Sequence, residues 1–577
     1  MAEGIFFAVV LYTILGLFVY LGATVHALFF IGCLTVFPLK WALDRIRHRR
    51  KYSNLLANVR QQWIAQSPSD VDFEWIEGQY YNWEEDDTGI DPYSWDELEL
   101  NDVFLKANRT FTSLGDIALY SMLRTPLLKK ESLQERGYLI RVLHENAEVR
   151  EAMQMDLCKL GRSRQFRLED LDNVIQMPSK SFRSATVILK SLVIISFLLL
   201  LILQNSITIL AAIVIALLSL VFSTWFRLLF FWRGETFVYL GRAIACAESL
   251  AQLGQKSPLP HADELRELSE LTREVCQKNR MFERDESNST ELTVLFGYYI
   301  RSFLLLDVSD YFRFIDLVSK HRLNIRKLLR LLGELDAFQS VISFRNRLPV
   351  FCEPEFTDED KLILDCMGCQ HPLLNSSVAN SIFLEYSNAF ITGSNTSGKS
   401  TFLRTIGLNA IMAQTIYTVS ATAYKAPPFK ILTSINSYDD LSESKSLFQM
   451  EAERLHNIIM TPNDFQQALC IVDEPLKGTN SLEAVCATIE TLRYVSDKKM
   501  IALFSSHHTQ IAQELPDNYK IFHFSAPTTE DPMKQNYLLQ AGLEYRFNGI
   551  DTLERVGFPA SIVDGARKRM KSMLGDE

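Results

Sequence analysis

The chain has 577 residues, enough for several domains. Apolar content of 47% and charged content of 22% are near globular averages, and a net charge of −10 argues against a broadly basic nucleic-acid binder. Nine scattered cysteines, an odd number, imply no disulfide framework and fit a reduced compartment.

Residues 5–39 contain no Asp, Glu, Lys or Arg. As helix that is about 50 Å, longer than one hydrocarbon core of about 30 Å. The stretch reads as one long tilted span or as a hairpin turning near residues 22–26. Lys40, Arg45, Arg47, Arg49, Arg50 and Lys51 follow, which places that end in the cytoplasm by the positive-inside rule. Residues 67–102 are acidic and rich in Trp and Tyr, with Glu84, Glu85, Asp86 and Asp87 at the centre; they read as an irregular linker or peripheral subdomain.

Residues 103–162 carry leucines at amphipathic-helix spacing, broken at Thr125 and Pro126. Residues 187–203 and 207–226 are mostly apolar and separated by Gln204, Asn205 and Ser206. With Arg183 and Lys190 before and Arg227 and Arg233 after, they predict a transmembrane hairpin with both ends cytoplasmic, a buried helical hairpin being the alternative. Residues 234–344 return to helical patterning, and Pro349 and Pro354 mark a break. Beyond it, short β-rich runs alternate with helices, which implies a parallel sheet with helices on its faces.

Within that last region Gly393, Ser394, Asn395, Thr396, Ser397, Gly398, Lys399, Ser400 and Thr401 follow an apolar strand and open a helix. They fit the phosphate-binding loop, in which backbone N–H groups curl around phosphate oxygens that a side chain would obstruct. Lys399 is expected to reach the β- and γ-phosphates of ATP, and Ser400 to offer its hydroxyl to Mg²⁺. A second apolar run, residues 469–472, ends in Asp473 and Glu474. Asp473 is expected near the Mg²⁺, and Glu474 is placed to orient and deprotonate the attacking water. A third run ends ahead of His507, a candidate for contact with the γ-phosphate or that water. Cys366 and Cys369, with His371 nearby, look like half a zinc site, but the chain has no second Cys-x-x-Cys, so structural thiols are expected.

These residues resemble the MutS family of mismatch-repair ATPases, a branch of the ABC-type ATPase fold. The family's G-P-N-x-x-G-K-S-T stands here as Gly393 to Thr401, and its D-D-L-x-x-x-x-S-x-F-x-x-E as Asp439, Asp440 and Leu441 through Ser446, Phe448 and Glu451. Its D-E-x-x-x-G-T-[SN] stands as Asp473 and Glu474 through Gly478, Thr479 and Asn480, and its F-x-[TS]-H as Phe504 to His507. His371 and Pro372 match the dipeptide ahead of the loop, and residues 545–570 resemble the closing helices. Residues 101–126, with Leu335, Asp336 and Ser340, look like the family's lever domain.

The resemblance implies an α/β ABC-type P-loop ATPase domain at the C-terminus, preceded by an all-α lever domain that the transmembrane hairpin interrupts, with transmembrane helices at the N-terminus. The divisions fall at residues 1–40, 41–102, 103–183, 184–232, 233–348 and 349–577. It implies a homodimer in which Ser446, Thr479 and Asn480 of one subunit complete the ATP site of the other, ATP bridging the two and hydrolysis releasing them. The expected location is the cell membrane, multi-pass, with the ATPase domain cytoplasmic; membrane lipid, DNA and an unknown protein are the partners considered. The family's mismatch-reading domain has no counterpart, and an apolar hairpin sits roughly where the DNA clamp would be inserted. The family's adenine-stacking aromatic is not evident; Ser377 falls at its place. Pro475, Leu476 and Lys477 replace the usual I-G-R. The rival readings are an ATP-driven switch on a protein or membrane partner without DNA, and an ABC-type transporter. The second fits less well, because the spans are few and residues 441–446 lack a transporter's Gly-Gly.

Overall fold

A computed structural model describes residues 52–61, 71–83, 89–173, 180–230, 234–279, 299–358, 361–393, 397–435, 447–460, 467–524, 536–543 and 549–574, with isolated positions beside them. Almost all of the apolar stretch 5–39, the acidic centre 84–87, loop residues Ser394, Asn395 and Thr396, and the segment ending in Ser446 lie outside the described residues.

The described residues of the acidic, aromatic stretch are helical rather than irregular. The stretch forms α1 (Phe73–Trp83), α2 (Pro92–Glu97) and, running on, α3 (Leu100–Ala107). Several of its aromatic residues have gone inward: Tyr80, Trp83 and Trp95 are buried, and Arg124 lies over the Trp95 ring, while Tyr81 and Tyr93 stay exposed.

Next come α4 (Ser113–Arg124), α5 (Lys130–Glu145), α6 (Ala147–Leu160) and the short α7 (Glu169–Asn173). The break at Thr125 and Pro126 separates α4 from α5. Helix α4 has its N-cap in Thr112, which accepts from Gly115 N–H at 2.9 Å, with Asp116 in its first turn and Arg124 in its last.

Two long apolar helices follow, α8 (Lys180–Leu203) and α9 (Ser206–Phe230), with the turn at Gln204 and Asn205. The chain then returns through α10 (Gly234–Gly254), α11 (Ala262–Asn279), α12 (Leu306–Lys320) and α13 (Arg322–Arg345). Helix α13 runs beside α4, and the join is polar and buried. Fully buried Asp336 accepts the backbone N–H groups of Phe111 at 3.0 Å and Thr112 at 2.8 Å, so it caps a neighbouring helix. Burial pushes its carboxyl up to about 6 against the pull of these hydrogen bonds.

The C-terminal part holds two sheets. The smaller, order β1-β5-β2-β3, is mainly antiparallel and was not foreseen: β1 (Glu355–Phe356), β2 (Ile363–Cys369), β3 (Asn380–Glu385) and β5 (Ala423–Ala426). The larger has the order β10-β9-β4-β8-β7-β6. Its strands are β4 (Asn388–Thr392), β6 (Phe429–Ser434), β7 (Gln467–Asp473), β8 (Met500–Ser505), β9 (Tyr519–Phe524) and β10 (Leu539–Ala541). All its pairings are parallel except that of β10 with β9. Strands β4 and β8 are buried throughout, as expected of continuous apolar runs covered on both faces. The associated helices are α14 (Lys399–Ile416), α15 (Leu447–Ile459), α16 (Ser481–Ser496), α17 (Gly549–Val556) and α18 (Ala560–Leu574).

Arg345, fully buried at the end of α13, joins the helical part to the sheet. It donates to Thr418 Oγ1 at 2.8 Å and Tyr417 O at 2.6 Å, just past the end of α14, and pairs with Glu353 at 3.0 Å.

Candidate functional site

Strand register assembles the site. Ser505 on β8 pairs with Ile391 on β4 on one side and with Asp473 on β7 on the other. The ends of three parallel strands therefore share one edge, where the crevice of an open α/β sheet lies. From β4 the chain enters the glycine loop and then α14. Gly398 is the N-cap of α14 at φ 101°, a conformation that disfavours any residue with a Cβ. The first N–H groups of α14 open onto the loop, a ready site for an anion.

Lys399 is buried, with its ammonium donating to Gly393 O at 2.8 Å and lying 3.7 Å from Glu474. Burial lowers its pKa below the usual lysine value, while the Glu474 and Asp473 carboxylates pull the other way. Asp473 ends β7 and accepts the Ser505 hydroxyl. Glu474 sits just beyond at φ 47°, its N–H bonded to Ser505 O at 3.0 Å. His507 Nδ1 is 3.3 Å from Glu474 Oε1. That hydrogen bond lowers the Glu474 pKa, against burial and with help from Lys399. The neighbouring His508, its tilted ring centred 4.0 Å away, is held below its ordinary pKa by burial and by His507.

Gly393, Ser397, Gly398, Lys399, Asp473, Glu474 and His507 thus come together, with Ser400 and Thr401 on the first turn of α14. The described hydrogen bonds of the Thr479 and Asn480 side chains are to their own helix. Thr479 Oγ1 donates to Glu483 at 2.9 Å, and Asn480 caps α16 by accepting Leu482 N–H at 2.9 Å. Ser394, Asn395, Thr396 and Ser446 lie outside the described residues. Cys366 and Cys369 are buried free thiols in β2, and the described residues contain no cluster of three metal-ligating side chains.

Beside the loop is a cavity of about 280 Å³ lined by Ser377, Asn380, Gly398, Thr401, Phe402 and Tyr537. A Cβ on Gly398 would lie 3.1 Å from the Tyr537 ring. Asn380 fixes that neighbourhood, donating to Tyr537 O at 3.0 Å and accepting Leu539 N–H at 2.8 Å. Tyr537 is a site residue that sequence reasoning missed. No motif flags it, and only the antiparallel return of β10 onto β9 brings it over the loop.

The residues present suit a nucleotide triphosphate. Ser397 Oγ is buried without a hydrogen-bond partner among the described residues, in a loop whose neighbours are backbone N–H donors and a lysine. The Ser400 hydroxyl and the Asp473 carboxylate are hard oxygen donors of the kind Mg²⁺ takes.

A glycine loop between a parallel strand and a helix, with an acidic strand end beside it, defines a P-loop nucleotide-binding domain of the ATPase class. Residues 389–574 match the family model of MutS domain V. The chain is 28% identical over 264 residues to a DNA mismatch repair protein MutS of Natronomonas pharaonis, covering 44% of this chain and 30% of that protein. It is 26% identical over 253 residues to the one from Thermus thermophilus, covering 43% and 30%, and 27% identical over 275 residues to the one from Fervidobacterium nodosum, covering 46% and 33%. The likeness to the MutS family lies in this ATPase-class domain. The match spans about a third of the length of these relatives.

Proposed function

We propose that the chain is a membrane-anchored MutS-like ATPase that binds and hydrolyses Mg-ATP between two copies and so switches its helical lever. The observation that carries the ATPase reading is the Glu474 carboxylate, bonded to His507 and 3.7 Å from Lys399 at the mouth of the glycine loop. Held below its ordinary pKa, Glu474 is ionised at neutral pH and able to take a proton from water. Lys399 and the N-terminus of α14 would neutralise the phosphates, and the Tyr537 face would cover the base. Ser400 and Asp473 would hold Mg²⁺, which supplies charge neutralisation between the β- and γ-phosphates. Thr479, Asn480 and Ser446 are assigned to the partner's site.

Exposure supports the membrane reading. The candidate spans Ser181–Leu203 and Ser206–Leu229 have mean hydropathies of 2.8 and 2.6, yet only 17% and 11% of their most apolar windows is buried. Core helices of that hydropathy would be covered. At 1.5 Å per residue, α8 and α9 are each about 36 Å long, enough for a bilayer core. Their bases are tied to α12 by Arg183–Asp316 at 2.6 Å and by the Arg227–Asp307 pair, which sets a charged collar at the level of the headgroups. The ATPase domain is then cytoplasmic. DNA enters as a partner only through the relatives' name, and salt-dependent binding of duplex or branched DNA tests it.

The deciding experiment is Mg-ATP turnover by detergent-solubilised protein and by Glu474→Gln. The variant is expected to bind ATP normally and to lose about 100-fold or more in kcat, as removal of a positioned base does. Equal turnover by the two proteins would take Glu474 out of its role.

A further inference from the structure

The segment ahead of the helical domain is built into the ATPase domain. Glu97, on α2 and only 4% exposed, accepts the Thr433 hydroxyl at 2.5 Å and the Ile435 N–H at 3.0 Å, where β6 ends. Arg454 on α15 is clasped by the same short helix. Its guanidinium pairs with Asp91 at 3.0 Å, donates to Ser94 Oγ at 2.9 Å and to Thr433 O at 2.8 Å, and lies over the Tyr93 ring. Two stretches of chain more than 300 residues apart are thus joined by buried and part-buried charge-assisted bonds.

Helix α15 in turn grips the turn that carries Glu474. One helical turn before Arg454, Glu451 accepts the Gly478 N–H at 3.1 Å. A Cβ at Gly478 would lie 2.9 Å from Phe448 N, so the first turn of α15 is packed directly on that glycine's backbone. The turn between them needs holding: Glu474 and Leu476 sit at φ 47° and 58°, a region that residues with side chains seldom occupy unless surrounding structure enforces it.

We propose that α2 is a positioning strap for the catalytic turn: Asp91 and Ser94 fix α15 through Arg454, Glu97 fixes the end of β6 to which Arg454 also bonds, and α15 fixes residues 474–478 through Glu451. Asp91, Ser94 and Glu97 bond to α15 and β6, and Glu451 reaches the catalytic turn through the Gly478 N–H, so they act as positioning residues. The proposal rests on the ATPase reading for its kinetic arm only.

The test uses the full chain in detergent with Glu451→Ala, Glu451→Gln and Glu97→Ala. Two quantities are read: kcat and KM for Mg-ATP, and amide deuterium exchange of residues 474–480 without nucleotide. Glu451→Ala is expected to lower kcat about 10- to 100-fold at unchanged KM, the effect of a misplaced base, and to speed exchange of the turn at least about fivefold. Glu451→Gln keeps an oxygen for the Gly478 N–H and should stay within about twofold of wild type on both. Glu97→Ala should speed exchange of the same turn from the far side of α15. Unchanged exchange in Glu451→Ala or Glu97→Ala, a Gln variant as impaired as the Ala variant, or a parallel rise in KM would overturn the strap. Absence of turnover in wild-type protein would instead sink the ATPase reading and leave the exchange arm to decide the strap alone.

Discussion

His371 shows how one buried side chain ties the domain's stability to pH. It is 6% exposed, its Nδ1 accepts Leu373 N–H at 3.3 Å, and Lys106 donates to the neighbouring Pro372 O at 2.7 Å. Burial, with Arg404 and Lys106 adding positive charge, pulls its pKa from 6.5 down to about 4. The unfolded chain therefore takes up a proton that the folded one refuses. The contribution is complete above about pH 6.5, shrinks as pH falls, and is gone below about 4; between pH 7 and 5 it amounts to about 2 kcal/mol. The expected outcome is that His371→Asn flattens the loss of stability between pH 7 and 5 by about that amount, measured as urea unfolding at both pH values. At this scale the motif residues were legible, because a phosphate loop and an acidic strand end are local in sequence. Tyr537 and Glu97 were not, since their partners Gly398 and Thr433 are distant in the chain and no short pattern records the meeting.

Among the helices, α4 crosses α13 at a contact that only a small residue permits. A Cβ at Gly333 would lie 2.7 Å from Leu114 O and 3.0 Å from Ala118 Cβ, so the two backbones touch there. Gly333→Ala gains helix propensity of about 1 kcal/mol but must push the helices apart. The expected net is a loss of about 1–3 kcal/mol, read as a lower urea midpoint, with the nucleotide affinity of the distant loop unchanged. The same pair is pinned by Asp336, so its relative angle is well defined. Helix α14 then spans about 27 Å from the glycine loop to Tyr417, where Arg345 takes hold. Helical periodicity foretold most of these elements and the break at Pro126. It could not foretell the small antiparallel sheet, whose short strands carry little periodic signal.

For the whole molecule, the arrangement of α8, α9 and α12 gives a topology that labelling can read. If the hairpin crosses the bilayer with both bases on the ATPase side, its turn at Asn205 faces the opposite compartment. In sealed cells an impermeant maleimide is expected to modify Asn205→Cys and to spare Cys486, which is exposed on the ATPase domain, until the membrane is opened. Modification of both sites from the same side would remove the membrane hairpin. The helical part and the ATPase-class domain meet at Arg345 and at α2, and both contacts would feel a change in the angle of the helical part.

From the sequence alone came what depends on neighbours along the chain: the glycine loop, the Asp473 and Glu474 strand end, the two apolar helices with their polar turn, and the resemblance those motifs carry. Only the tertiary structure decided which surfaces those elements share. It turned Tyr80, Trp83 and Trp95 of the acidic stretch inward, set Tyr537 over Gly398, and left the apolar faces of α8 and α9 uncovered. The reason is that hydrogen-bond register and burial are pairings between residues hundreds of positions apart, and a local pattern fixes what a residue offers without fixing what it meets.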